Sequence, residues 1–162
     1  MRSLAAALLA LTLVPAAYGA TFSFTVNTAS PVTAPGVTLN GDDQTKSFTM
    51  QYTVAYTQGQ NTAGWNVTAS ATTPTSGSNT LPALAVTGVT NGNCTGGGCV
   101  NPTNSITWPI TLSGTAQKIF NADVNTGRGT VVLTATFQMT YPANALPGTY
   151  SSVVTVNGTT GP

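Results

Sequence analysis

The feature that most constrains this chain is strict alternation of apolar and polar residues. Phe22, Phe24 and Val26 alternate with Ser23 and Thr25. Phe48, Met50, Tyr52, Val54 and Tyr56 are spaced by Thr49, Gln51, Thr53 and Ala55. The same rule holds at Trp65–Val67–Ala69–Ala71, at Leu133–Ala135–Phe137–Met139–Tyr141 and at Tyr150–Ser152–Val154–Val156. A period of two places every second side chain on one face of a strand, whereas an amphipathic helix needs a period of 3.6. No stretch of useful length has the helical period. Ile106, Trp108, Ile110 and Leu112 also alternate, and Pro109 directs that strand to a sheet edge because it has no N–H to donate. Leu84-Ala85-Val86 and Ile119-Phe120 read as short strands.

Turn residues separate these runs: Asn40-Gly41-Asp42-Asp43, Gln58-Gly59-Gln60-Asn61, Ser76-Gly77-Ser78-Asn79, Asn91-Gly92-Asn93, Asn125 to Gly129 and Pro142 to Gly148. Gly and Asn accept positive φ, and Pro interrupts ladders. Six to eight strands with spaced turns predict an all-β fold, a single antiparallel β-sandwich of Ig-like type. Thr72 to Asn79 reads as a long hairpin loop. The sandwich is expected to occupy residues 20–162 as one domain.

Residues 1–19 read as a secretory signal peptide. Arg2 supplies the positive start, Leu4 to Ala17 the apolar run, and Ala17-Tyr18-Gly19 the small residues before a cut after Gly19. The run is short for a membrane span, which needs about 20 residues; an uncleaved anchor is the alternative. Export implies a secreted, extracellular location with no membrane segment after cleavage.

Charge is scarce. The chain has four Lys/Arg, three Asp/Glu and no His. Removing Arg2 leaves Lys46, Lys118 and Arg128 against Asp42, Asp43 and Asp123, so three minus three gives zero. Nucleic acid and anionic membrane both demand clustered cations, so neither is an expected partner. A neutral surface also lacks the repulsion that keeps copies apart. Cys94 and Cys99 flank Thr-Gly-Gly-Gly, and export favours an oxidised pair, so a local disulfide is expected. A metal site would need more ligands than two thiols. Asn40-Gly41-Asp42-Asp43 falls short of the six to eight oxygens calcium takes.

The residue types for catalysis are nearly absent. General acid–base work favours His or a tuned carboxylate, and glycoside hydrolysis needs two carboxylates across a cleft. Adjacent Asp42 and Asp43 point to opposite faces if extended. The chain is therefore expected to be non-enzymatic and to need no cofactor. Trp65 and Trp108 each sit in an apolar row. They serve either as core packing or as a platform for a sugar face.

Two regions together resemble a known family. Gly64-Trp65-Asn66-Val67-Thr68 is followed by Phe120-Asn121-Ala122-Asp123-Val124-Asn125-Thr126-Gly127-Arg128-Gly129-Thr130, and then by Tyr141-Pro142-Ala143-Asn144-Ala145-Leu146-Pro147-Gly148-Thr149-Tyr150. This order resembles the WxL and WxL-like domains of bacterial cell-surface proteins. The resemblance implies an exported β-sandwich bound non-covalently to the cell wall, to peptidoglycan or to other surface proteins. Trp65-Asn66-Val67 stands where the first Trp-x-Leu motif falls, and Val154-Thr155-Val156 where the second does. By residue, the resemblance carries over Trp65 alone as a candidate wall-binding side chain.

A second functional class remains open. Phe22-Ser23-Phe24-Thr25-Val26 follows the cut site and could be donated to the sheet of a neighbour, making the chain a self-assembling subunit of a surface filament or layer. It could equally be the first strand of its own sandwich.

Overall fold

The computed structural model describes residues 21–57 and 63–162, so the expected leader and the Gln58–Asn61 turn lie outside the described residues. The fold is all-β and antiparallel, and no helix occurs among the described residues. In chain order the strands are β1 (Thr21–Val26), β2 (Gln44–Thr57), β3 (Trp65–Ala71), β4 (Thr75–Ser76), β5 (Asn79–Thr80) and β6 (Ala85–Asn91). They continue with β7 (Thr95–Val100), β8 (Ile110–Thr111), β9 (Gln117–Ala122), β10 (Arg128–Tyr141) and β11 (Val154–Thr160).

Two sheets enclose one core. The larger runs β1-β2-β10-β6-β8, with β7 beside the first part of β10. The smaller runs β11-β3-β9, and β4-β5 is a separate small hairpin. Alternation sets which residues meet. On β2, Met50, Tyr52, Val54 and Tyr56 are buried; on β10, Val131, Leu133, Ala135, Phe137 and Met139 are. They face Trp65, Val67, Ala69 and Ala71 of β3. The outward face carries Thr and Gln, and Gln51 Nε2 donates to Thr134 Oγ1 across the β2–β10 pair at 3.4 Å.

β2 and β10 pair from Tyr56↔Gly129 to Gln44↔Tyr141 without a register shift. Shifts fall elsewhere. Between β3 and β9, Val67 pairs Phe120 and Thr68 pairs Lys118, leaving Ile119 as an extra residue. This bulge turns Ile119 and Phe120 both inward, where both are buried.

Three segments differ from the periodicity. The last strand begins at Val154 rather than Tyr150, because Thr72 Oγ1 accepts the Val153 N–H at 2.9 Å and Ser151 bridges Thr75. The run Ile106–Leu112 shortens to the two residues of β8. There the preceding backbone is held by side chains instead: Asn121 Oδ1 accepts from Ser105 N (2.9 Å), and Asn104 Oδ1 accepts from Asn121 N (3.0 Å). The Cys94–Cys99 segment, expected as a loop, contains strand β7. The disulfide joins the two residues with their Cα atoms 5.9 Å apart. Arg128 Nε donates to Gly98 O, tying this flap to the start of β10.

Tyr52 is the one core side chain whose polar atom has no partner among the described residues. Its ring stacks on Phe24 with centroids 5.6 Å apart. Burial pushes its hydroxyl well above the ordinary phenol value. The native chain therefore keeps a proton that the unfolded chain sheds near pH 10. Stability should fall as pH rises past that point, by at most about 1.4 kcal/mol per pH unit from this residue. Tyr52→Phe removes an unpartnered hydroxyl, so it should be neutral or stabilising by up to about 1 kcal/mol and should flatten that decline. Urea melts at neutral and alkaline pH read both effects.

Candidate functional site

Trp65 opens β3, where one glycine lets the end of β9 approach and another makes room for the indole. A Cβ on Gly64 (φ 74°) would lie 2.2 Å from Ala122 O, and one on Gly127 (φ 70°) 2.4 Å from the indole nitrogen. The indole N–H donates to Gly127 O at 2.8 Å, and the ring stacks on Phe120 at 5.7 Å. The two sequence regions around Trp65 and Gly127 therefore meet in space, 62 residues apart along the chain. The ring itself is 0% exposed. A sugar cannot reach a ring with no free face, so in this fold Trp65 is core and the platform alternative does not apply to it. Trp108 is half-buried and donates to Ile119 O at 3.0 Å, over β9.

The carboxylates are dispersed. Asp43 accepts the Ala143 N–H at 2.7 Å, just beyond the end of β10. Asp123 sits in the turn before β10 and accepts from Asn121 Nδ2 at 2.6 Å. β10 has 14 residues, so its ends are about 45 Å apart at some 3.3 Å per residue. Carboxylate pairs that cleave glycosidic bonds are about 5–10 Å apart. Among the described residues no group of three or more His, Cys, Asp or Glu could hold a metal.

What the fold does assemble is an apolar groove. It runs between β2 and β10 of the larger sheet and β11 of the smaller one. The link 27–43 lies along it and places Val32 and Ala34 against the core. Cavities of about 670 and 680 Å³ open on either side of this link, sharing Val32, Ala34, Met139 and Tyr150. The first adds Leu39, Tyr141 and Leu146; the second adds Val26, Phe48 and Val153. Among the described residues, three of the five exposed large apolar side chains lie here: Val26 (44%), Leu146 (56%) and Val153 (67%). Exposed apolar side chains gathered in one place, unlike scattered ones, mark an interaction surface.

The groove is positioned by its polar frame. Tyr150 OH donates to Leu146 O at 2.9 Å, closing the 142–150 loop on itself. Ser151 pairs with Thr75 through both main-chain bonds, at 2.9 Å each. A Cβ on Gly148 would meet Ser76 Oγ at 2.6 Å, so this glycine lets the loop seat against the β4–β5 hairpin. Among the described residues no charged side chain lines either cavity. Burial raises the Tyr141 hydroxyl above its ordinary value, which keeps it neutral. Thr33, Thr149, Ser151 and Ser152 provide hydroxyls around the apolar floor.

Sequence reasoning did not find the groove, since its walls come from three separated segments. Two local signals pointed to it: Val153 on the polar face of the last alternating run, and Leu146 inside a Pro/Gly turn.

No family model matches the chain, and no curated protein matches it in sequence. Among solved structures it is similar to a family 123 glycoside hydrolase from Clostridium perfringens, at 14% identity and a TM-score of 0.34. The match covers 70% of this chain and spans 18% of that one. A likeness of that size bears on neither activity nor substrate.

Burial of Trp65 sets an expected outcome. Trp65→Ala should cost about 3–5 kcal/mol by leaving a cavity and an unpaired carbonyl. The denaturation midpoint measures this loss, which would be near zero for a surface ligand contact.

Proposed function

We propose that this chain is an exported, non-enzymatic cell-surface module that associates non-covalently with a neutral wall polymer through the groove beside β11. The observation that carries the reading is the groove's chemistry. It is uncharged, floored by apolar side chains with Tyr141 and Tyr150, and rimmed by hydroxyls. An extended glycan presents the matching pattern, with apolar C–H faces for aromatic rings and hydroxyls for hydroxyls. The segment Tyr141 to Tyr150, which shares its order with WxL-like domains, builds one wall of this groove. That resemblance supports the cell wall, and peptidoglycan in particular, as the source of the polymer. Trp65 supports the reading only indirectly, by holding the sandwich together.

The test is sedimentation of the chain from Ala20 onward, which contains every described strand, with and without purified bacterial walls. Pelleting that requires walls is the expected result. Val153→Asp and Leu146→Asp alter exposed side chains, so the fold should survive. A carboxylate at either position must be desolvated by a ligand, and each should weaken pelleting about tenfold or more. Pelleting should stay flat between about pH 5 and 9, since no Asp, Glu, His, Lys or Arg is among the lining residues. Wall-independent behaviour, or pelleting indifferent to both substitutions, would sink the groove reading.

A further inference from the structure

The first strand is an edge strand, as β8, β9 and β11 are, and it is joined to its sheet by a long connection. β1 pairs along one edge only, with β2, from Thr21↔Thr57 to Val26↔Tyr52. Its anchors are two half-buried rings. Phe22 packs edge-on to Tyr56 at 5.9 Å, and Phe24 stacks on Tyr52. The receiving surface is shaped for Phe24 in particular. A Cβ on Gly158 of β11 would come within 2.7–2.9 Å of three atoms of the Phe24 side chain. Glycine at 158 therefore leaves a slot, between the edges of the two sheets, that fits this ring.

The connection to β2 is long. Residues 27–43 form no strand; among the described residues no bond between two main-chain groups ties 29–43 to either sheet, and side chains hold it instead, with Gln44 Nε2 donating to Thr38 O at 2.8 Å and Asp43 Oδ1 accepting the Ala143 N–H at 2.7 Å. In the antiparallel register, the link must span from the level of Tyr52 to Gln44, eight residues of β2 or about 26 Å. Seventeen residues can reach about 56 Å when extended. The excess would let β1 leave its own sandwich and reach another. Connections of this length without structure of their own are uncommon in compact domains and often functional.

We infer that β1 is an exchangeable strand: where copies are crowded, it leaves its own slot and fills the same slot, Tyr52–Tyr56 and Gly158, of a second copy. Every contact it makes at home is available in the neighbour, so exchange replaces contacts one for one. The balance is then set by concentration. Once β1 is released, a link of this length holds it near its own slot at an effective concentration of roughly millimolar, which densely packed copies can match. The mature chain's zero formal charge offers no long-range repulsion between copies. Head-to-tail exchange that does not close gives a filament, and reciprocal exchange gives a dimer. This inference goes beyond the wall-binding reading; since Val26 and the link line the groove, an exchanged β1 would carry part of the groove's lining to the neighbour.

Cross-linking across the β1–β2 register tests it. Thr25 faces Thr53, both outside the core, at a spacing a disulfide can bridge. The chain from Ala20 onward carrying Thr25→Cys and Thr53→Cys is unfolded, refolded at micromolar or at roughly millimolar concentration, oxidised and run without reductant. A second pair, a tagged copy with Thr25→Cys alone and an untagged copy with Thr53→Cys alone, is refolded together. Exchange predicts closed monomers at low concentration, a ladder of linked chains at high concentration, and a tagged–untagged heterodimer from the mixed pair. A ladder at both concentrations would support exchange more strongly. Closed monomers at both concentrations with no heterodimer would overturn it, as would the absence of any cross-link, because β1 would then not lie on β2 in either copy.

Discussion

The hydrogen bond from the Trp65 indole to Gly127 O is the contact on which the rest of the arrangement depends. It joins the first residue of the central strand of the smaller sheet to the residue just before β10. β10 pairs along the whole of β2 on one side and with β6 and β7 on the other. Its phase decides which of its side chains enter the core. A slip of one residue would exchange Leu133, Ala135 and Phe137 for Val132, Thr134 and Thr136. Pinning the turn before β10 under a buried indole opposes that slip. Gly64 and Gly127 are the backbone conditions for the pin, since a Cβ at either position would occupy the space used by main chain or ring.

Around this pin the chain solves its polar accounting almost without ions. Buried Asn121 ties the irregular segment before β8 to β9, and buried Asn66 donates to Gly161 O at 2.7 Å. Charged groups bind backbone: Asp43 takes an N–H at Ala143, Arg128 a carbonyl at Gly98, Lys118 a carbonyl at Pro162. The neutral bonds of Asn121 and Asn66 to backbone contribute about 1 kcal/mol each and depend little on salt. The same economy leaves the groove beside β11 uncharged. A ligand for it must be recognised by shape, apolar contact and hydroxyls. It also leaves the edge strand β1 without the charges that commonly guard a sheet edge.

The site was less legible than the fold, for a physical reason. Alternation located β1 and β3 nearly to the residue, because a strand with one face buried writes its phase into its own sequence; it also found the later parts of β2 and β10 but missed their first residues, Gln44–Ser47 and Arg128–Val132. Trp65 was ambiguous at that level. A ring in an apolar row looks the same whether its face meets Phe120 or solvent, and only the approach of Gly127 from 62 residues away decides it. β7 was hidden because three glycines carry no side-chain pattern; its pairing with β10 and the Cys94–Cys99 bond make it a strand.

The sequence by itself determined the class of structure and the chemistry open to it. Period-two patterning requires antiparallel sheets with one apolar face. Paired cysteines six residues apart by inclusive count invite a local staple, and the absence of His and the scarcity of carboxylates limit general acid–base chemistry. Tertiary structure decided where the exposed apolar residues gather. Leu146 and Val153 look like isolated exceptions to the pattern and Val26 like an ordinary member of it, and they line adjoining cavities only when β1, the 142–150 loop and the segment before β11 are brought together. Periodicity reports what a strand does with its own two faces. It holds no information about which ends of separate strands meet, and that is where this groove lies.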